Sequence, residues 1–199
     1  MDGKPWDARI ARALILPLVH SPVHPNHITT LGLAIGLAAA WCYGRGPSGA
    51  DLGGILFLAA GVVDHADGEL ARLSGKTSEF GHRYDRAVDL VVKTSLFLGM
   101  GVGLRDGPLG IWAIPMGLVA GLSLVAIFTL RGAMAQRRGN EVYRQPAFAG
   151  FELEDILYLI APVTWLGGLS GFFSLAAVGI PVFAAWSAVQ WQRIWREDR

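Results

Sequence analysis

The amino-acid sequence predicts an all-α integral membrane protein, with six transmembrane helices, both termini cytoplasmic and a short N-terminal interfacial helix. Three observations carry this prediction. Hydrophobic residues make up 52% of the 199 and charged residues only 17%, against about 25% charged in an ordinary soluble domain. The apolar residues gather in runs of roughly 18 to 25, the length that crosses a bilayer as a helix. Basic residues are concentrated on alternate connections between those runs.

Before the first run, the segment up to Val19 sets Lys4, Arg9 and Arg12 among Trp6, Ile10, Leu14 and Leu18, a pattern suited to a helix lying along the membrane surface. Residues 1–27 are assigned to this interfacial segment. The apolar stretch Ala13 to Val19 is short, broken by Pro17 and followed by no small-residue cleavage pattern, so no cleavable signal peptide is expected. The spans follow at about 28–44, 52–73, 84–104, 109–131, 153–168 and 171–192. Gly46-Pro47-Ser48-Gly49, Asp106-Gly107-Pro108 and Gly167-Gly168 punctuate them. The polar segment from Leu73 to Phe80 turns the chain between the second and third spans. The 26 glycines suit closely packed membrane helices. Cys42, the sole cysteine, excludes an intrachain disulfide and reads as a small buried hydrophobe. No repeat or linker divides the chain, which reads as one membrane-embedded domain over residues 1–199.

Orientation comes from the charges. With both termini inside, fourteen Lys and Arg residues fall on the cytoplasmic side, among them Arg72, Lys76, Arg83, Arg86 and Arg193, against only Arg45 and Arg105 outside. Such a positive-inside bias requires an even number of spans. It turns the acidic site toward the cytoplasm, and a prokaryotic cytoplasmic membrane is the expected location.

The acids carry the chemistry. On the second span Asp64, Asp67, Gly68 and Ala71 recur at helical spacing, and on the third Gly81, Asp85 and Asp89 do the same. Two adjacent antiparallel helices would thus present four carboxylates to each other near the inner membrane face. Each such group costs about 2.5–3.5 kcal/mol to insert, and four together repel one another. A hard divalent cation, Mg²⁺, Mn²⁺ or Ca²⁺, resolves that cost with oxygen ligands. Gly68, Ala71 and Gly81 leave room for a ligand near the backbone, and Arg72 suits a phosphate. Together these residues suggest pyrophosphate chemistry.

The spacing D-x-x-D-G-x-x-A-R-x8-G-x3-D-x3-D, met here by Asp64, Asp67, Gly68, Ala71, Arg72, Gly81, Asp85 and Asp89, resembles the signature of the CDP-alcohol phosphatidyltransferases. Pro25-Asn26-His27-Ile28-Thr29 is similar to that family's P-N-x-[IL]-T element, although a plain helix start, with Asn or Thr as cap, accounts for it equally. The resemblance implies transfer from a CDP-linked donor, CDP-diacylglycerol by preference, to an alcohol, with release of CMP. It implies Asp64, Asp67, Asp85 and Asp89 as ligands of two Mg²⁺ or Mn²⁺ ions, with Asp89 also the general base. Asn26, Thr29, Gly68, Ala71, Arg72 and Gly81 would hold the nucleotide side of the donor. A homodimer is a family expectation, and no nucleic-acid partner is expected.

The acceptor is less legible. Lys93, Arg131, Arg137 and Arg138, with Arg144 beyond them, suit a phosphorylated acceptor, or equally a patch for anionic lipid. Glu152, Glu154 and Asp155 would oppose an anionic acceptor unless they pair with those arginines. The D-G-E-L-A-R form around Glu69 is similar to relatives that use inositol phosphate. Lys93, one turn beyond Asp89, is expected to pair with Asp89 or Asp85. His20, His24, His27, His65 and His82 read as polar residues near the interface. Two other readings remain open: a membrane CDP-lipid hydrolase or phosphatase, and a divalent cation transporter.

Overall fold

The computed structural model describes residues 6–138 and 155–197, and every regular element within them is helical. Helix α1 (Trp6–Ile15) runs through a 3-10 turn at Leu16–Leu18 to α2 (Pro25–Gly44), α3 (Pro47–Ser74) and α4 (Glu79–Gly103). A second 3-10 turn at Gly110–Trp112 opens α5 (Ala113–Arg138), followed by α6 (Asp155–Tyr158), α7 (Ile160–Trp165) and α8 (Leu169–Glu197). Four helices are long and apolar enough to cross a membrane: Pro25–Gly44, Pro47–Ser74, Gly110–Arg137 and Leu169–Arg196.

The two remaining expected spans differ for separate reasons. Helix α4 has the length, at 25 residues, but Asp85, Arg86, Asp89 and Lys93 make it too polar to count as apolar. The segment expected as a span over 153–168 instead forms two short helices, α6 and α7, interrupted at Leu159. Pro162 lacks the N–H that would bond the Tyr158 carbonyl, so the ladder breaks there. Residues 153 and 154 lie outside the described residues, as do Lys4, Arg144 and Arg199.

Local sequence sets the helix ends that matter for the site. Pro25 occupies the first turn of α2, where its missing N–H costs nothing. The cap is His24 rather than Asn or Thr: its Nδ1 accepts from the Asn26 N–H, while His27 Nδ1 accepts from the His24 N–H, both at 3.3 Å. Asn26 and Thr29 are thereby inside the helix, free for other work. Helix α3 ends at Gly75, whose φ of 68° is left-handed and suits glycine alone without strain. Ser78 then caps α4, its Oγ accepting from the Gly81 N–H at 3.0 Å.

The helices pack around α2. Helix α2 contacts both α3 and α4 extensively, α4 contacts α5, α5 contacts α8, and α3 contacts α7. The backbones of α2 and α4 nearly touch: a Cβ at Gly99 would collide with the Ala40 carbonyl oxygen, and one at Gly103 with that of Tyr43. The main core, with Tyr43, Phe97, Met100 and Phe173 fully buried, lies between these helices. Helix α1 buries Ala11 and Ile15 against Ala66 and Leu70 of α3 and exposes Ile10 and Leu14. The expected interfacial helix is thus docked on the bundle. Helices α3 and α4, consecutive in sequence, hardly meet. In place of an adjacent pair there is a cleft, because α2 holds the two apart.

Candidate active site

The cleft contains a cavity of about 410 Å³, walled by α2, α3, the α3–α4 turn and α4. Asn26, Thr29, Gly68, Ala71, Arg72 and Gly81, the six residues expected on the nucleotide side, all line it, together with Asp67 and Asp85. Asp64 and Asp89 are not in its lining. Each lies one helical turn farther from the α3–α4 turn, since α3 approaches that turn and α4 leaves it. Asp64 nevertheless lies within electrostatic range of Asp89, Asp85 and Asp67. The four carboxylates therefore form two tiers about 4.5–6 Å apart along the helices.

Each tier has its own support. Asp67 is 4% exposed, and Thr29 Oγ1 donates to its Oδ2 at 2.5 Å. Thr29 is equally buried, so this bond ties α2 to α3 at the cavity wall. In the deeper tier Lys93 Nζ pairs with Asp89 Oδ2 at 2.7 Å, and the same ammonium lies 4.6 Å from the Phe128 ring centre. The ion pair expected for Lys93 is therefore formed, with Asp89 rather than Asp85. Asp64 and Asp85 have no hydrogen-bonding or ion-pairing side chain among the described residues.

Glycine and arginine shape the rest. A Cβ on Gly81 would stand 3.1 Å from Asn26 Oδ1 and 3.0 Å from Ser78 Oγ, so a bare α-carbon is what lets α2 and α4 approach here. At Gly68 a Cβ would meet only the Arg72 guanidinium, at 3.6 Å, and would project into open cavity. Arg72 is tethered at 3.1 Å to Glu69, whose side chain is 6% exposed, while the Arg72 side chain is 64% exposed and borders the cavity. Glu69 is not in the lining of the cavity.

The remaining expected residues lie elsewhere. Arg131 stacks on Phe183 and Trp186 of α8, 4.7 and 5.8 Å from the ring centres, and Arg137 stacks on Trp191 and Trp195 at 5.0 and 4.2 Å. Neither lines the acidic cavity. The side chains of Arg138 and Asp155, and the whole of Glu152 and Glu154, fall outside what is described. Pro25 of the P-N-x-[IL]-T element and His82, expected only as a polar residue near the interface, also line the cavity, as do Lys76, Thr77 and Ser78. For these last three the only signal in the sequence is the polar turn from Ser74 to Glu79, which reads as a simple connection. A second cavity, about 300 Å³ and wholly apolar, lies between α4, α5, α6 and α8 and includes Phe97, Phe128, Leu157 and Phe183.

For a metal, the donor set is uniformly oxygen: four carboxylates with the Thr29 hydroxyl at their edge. Among the described residues no three of them converge into a ready coordination group. Their chemistry fits a hard divalent ion, because every donor is an oxygen and Asp64 and Asp85 have no side-chain partner among the described residues.

Fold and site together define a helical membrane protein that gathers carboxylates, small residues and an arginine into one cleft, an arrangement for handling phosphate anhydrides. The chain belongs to the CDP-alcohol phosphatidyltransferase family of enzymes, whose profile matches residues 22–191. Its fold is similar, over 94% of this chain and 90% of the other, to the crystal structure of Mycobacterium tuberculosis phosphatidylinositol phosphate synthase with CDP-DAG bound, at a TM-score of 0.58 and 23% identity. An archaetidylinositol phosphate synthase from Pyrococcus horikoshii is 32% identical over 81 residues. That match spans 41% of this chain and only 42% of the relative's length.

Proposed function

We propose that this protein transfers a phosphatidyl-type group from a CDP-linked lipid, CDP-diacylglycerol in the first instance, to the hydroxyl of a phosphorylated polyol such as inositol phosphate. One observation carries the reading: a single cavity collects six expected donor-binding residues and two acids from three helices. The two relatives' names, an archaetidylinositol phosphate synthase and a phosphatidylinositol phosphate synthase, support the choice of acceptor.

In the proposed reaction the acceptor oxygen attacks the lipid-bearing phosphorus, a new P–O ester bond forms, the pyrophosphate bridge breaks and CMP leaves. Asp89 takes the acceptor's proton. Lys93 holds its Oδ2 and leaves Oδ1 for the hydroxyl, which must come within ~3 Å for general-base catalysis. Two Mg²⁺ or Mn²⁺ ions held by Asp64, Asp67, Asp85 and Asp89 would neutralise the pyrophosphate and stabilise the departing CMP. Thr29 fixes the Asp67 carboxylate, Arg72 meets a phosphate, and Asn26, Gly68, Ala71 and Gly81 frame the nucleotide. Arg131 supplies an anion site for the acceptor with Arg137, Arg138 and Lys93; its Nε is buried without a hydrogen-bond partner among the described residues. The apolar cavity suits a lipid chain.

The distribution of basic residues supports six spans with both termini, and the acidic cavity, on the cytoplasmic side; a prokaryotic cytoplasmic membrane is the expected location. A homodimer is the expected form.

The test is CMP release by purified protein with CDP-diacylglycerol, Mg²⁺ and a panel of alcohols that includes inositol phosphate and glycerol phosphate. Metal-dependent release that requires inositol phosphate supports the proposal. Release without any alcohol makes the protein a hydrolase, and release with a different alcohol replaces the acceptor. A folded protein inert toward all of them refutes the reaction, and metal flux into liposomes then tests the transporter.

A further inference from the structure

We propose that Lys76 is a positioning residue for the nucleotide side of the cavity. Its ammonium latches the segment before α2 to the α3–α4 turn and so sets Asn26 and Thr29 at the cavity wall. The inference rests on the proposed use of that wall by the CDP-linked donor.

The geometry is specific. Gly75, left-handed at φ 68°, reverses the chain after α3, and the next residue, Lys76, reaches back across the cleft. Its Nζ donates to the Ser21 carbonyl at 2.9 Å and to the Val23 carbonyl at 3.0 Å. Those two oxygens are presented together by a local turn, in which Ser21 Oγ donates to the Leu18 carbonyl at 2.7 Å and accepts from the Val23 N–H at 3.2 Å. Helix α2 begins two residues later, at Pro25, and Asn26 and Thr29 lie in its first turns. Lys76 itself lines the cavity beside them.

The segment has a separate anchor. Leu18, Val19 and Val23 pack against the cluster of Ala11, Ile15, Ala66 and Leu70. That apolar contact holds the segment to α3 whether or not the ammonium is present. The latch therefore adjusts where the start of α2 stands and does not decide whether the segment is bound. An ammonium has three donors and no acceptor, and two of the three are spent on backbone oxygens. A methionine of similar length keeps the stem and removes both bonds.

The test uses the full chain in lipid nanodiscs, with CMP release measured for Lys76→Met, Lys76→Arg, Ser21→Ala and the Lys76→Met/Ser21→Ala double variant. Lys76→Met is expected to raise the KM for CDP-diacylglycerol about tenfold, the loss of roughly one charge-assisted hydrogen bond. The kcat stays within about twofold, and the KM for the acceptor does not move. Ser21→Ala shifts the same constant in the same direction, and the double variant is no worse than Lys76→Met alone, because both changes open one latch. Lys76→Arg recovers part of the loss. An unchanged donor KM, or a loss that falls on kcat, overturns the proposal. So does additivity in the double variant, which would make Lys76 a direct contact of the donor phosphates. Should Lys76→Met fail to fold, Ser21→Ala and Lys76→Arg read the same constant. If the wild-type protein turns over no donor at all, the reaction reading fails instead, and calorimetric CMP affinity across the same variants decides the latch.

Discussion

Asp89 has the most exacting position in the molecule. It stands among three other acids, and Lys93 pairs with its Oδ2 at 2.7 Å. Replacing it by Asn keeps the shape and one acceptor but removes the base proposed for the acceptor hydroxyl. The expected result is a fall in kcat of about 10²–10⁴-fold, the usual range for general-base catalysis, with the helical circular-dichroism spectrum unchanged. Thr29 answers a different need, since it gives the buried Asp67 its donor. Thr29→Val is expected to lower stability by about 1–3 kcal/mol, the cost of leaving a buried acceptor unmet, measurable as a shifted thermal midpoint in detergent. Chelation with EDTA is expected to abolish CMP release. Mg²⁺ or Mn²⁺ should restore it, because an all-oxygen site favours hard ions; recovery with Zn²⁺ alone would refute the ligand set.

Helix pairs make the cavity out of these residues. Asn26 and Thr29 ride on α2 while Asp85 and Asp89 ride on α4, so their separation depends on how closely those two backbones approach. Gly99 is one of two points of close fit, its α-carbon directly over the Ala40 carbonyl as that of Gly103 is over the Tyr43 carbonyl. Gly99→Val is therefore expected to push α4 outward at a cost of about 1–3 kcal/mol, as overpacking generally does. CMP release should fall with the thermal midpoint even though no residue of the cavity has changed. A variant with wild-type stability and turnover would mean that the α2–α4 contact does not hold the cavity together. The helical register of the acids was legible in the sequence, since Asp64/Asp67 and Asp85/Asp89 follow a local periodicity. The separation of α3 from α4 was not, because nothing between residues 64 and 89 records that α2 stands between them.

The molecule as a whole carries its charge asymmetrically. Arg45 and Arg105 lie at the end of the bundle opposite the α3–α4 turn, while Arg72, Lys76, Arg83 and Arg86 cluster around that turn. The proposed topology puts the turn in the cytoplasm. In a Cys42→Ala background, a membrane-impermeant maleimide is expected to label Ser48→Cys in intact cells and Thr77→Cys only after the membrane is opened. The reverse pattern would invert the orientation. Helix α1 matters at this scale too. Its alternation of basic and apolar residues predicted a helix at the membrane surface, but the alternation could not say that Ala11 and Ile15 would dock on α3.

By itself, the sequence determined the helical membrane class, the register of the four aspartates on their helices, and the family signature. All three reside in runs and spacings within a few turns of one another, where hydropathy and the 3.6-residue period are sufficient. Only the tertiary structure decided that α2 parts α3 from α4, that Lys76 holds the segment before α2, and that Arg131 and Arg137 lie on the aromatic face of α8. Each of these depends on close approach between groups distant in the chain. Such an approach is set by which side chains leave room for one another, and no local pattern encodes it.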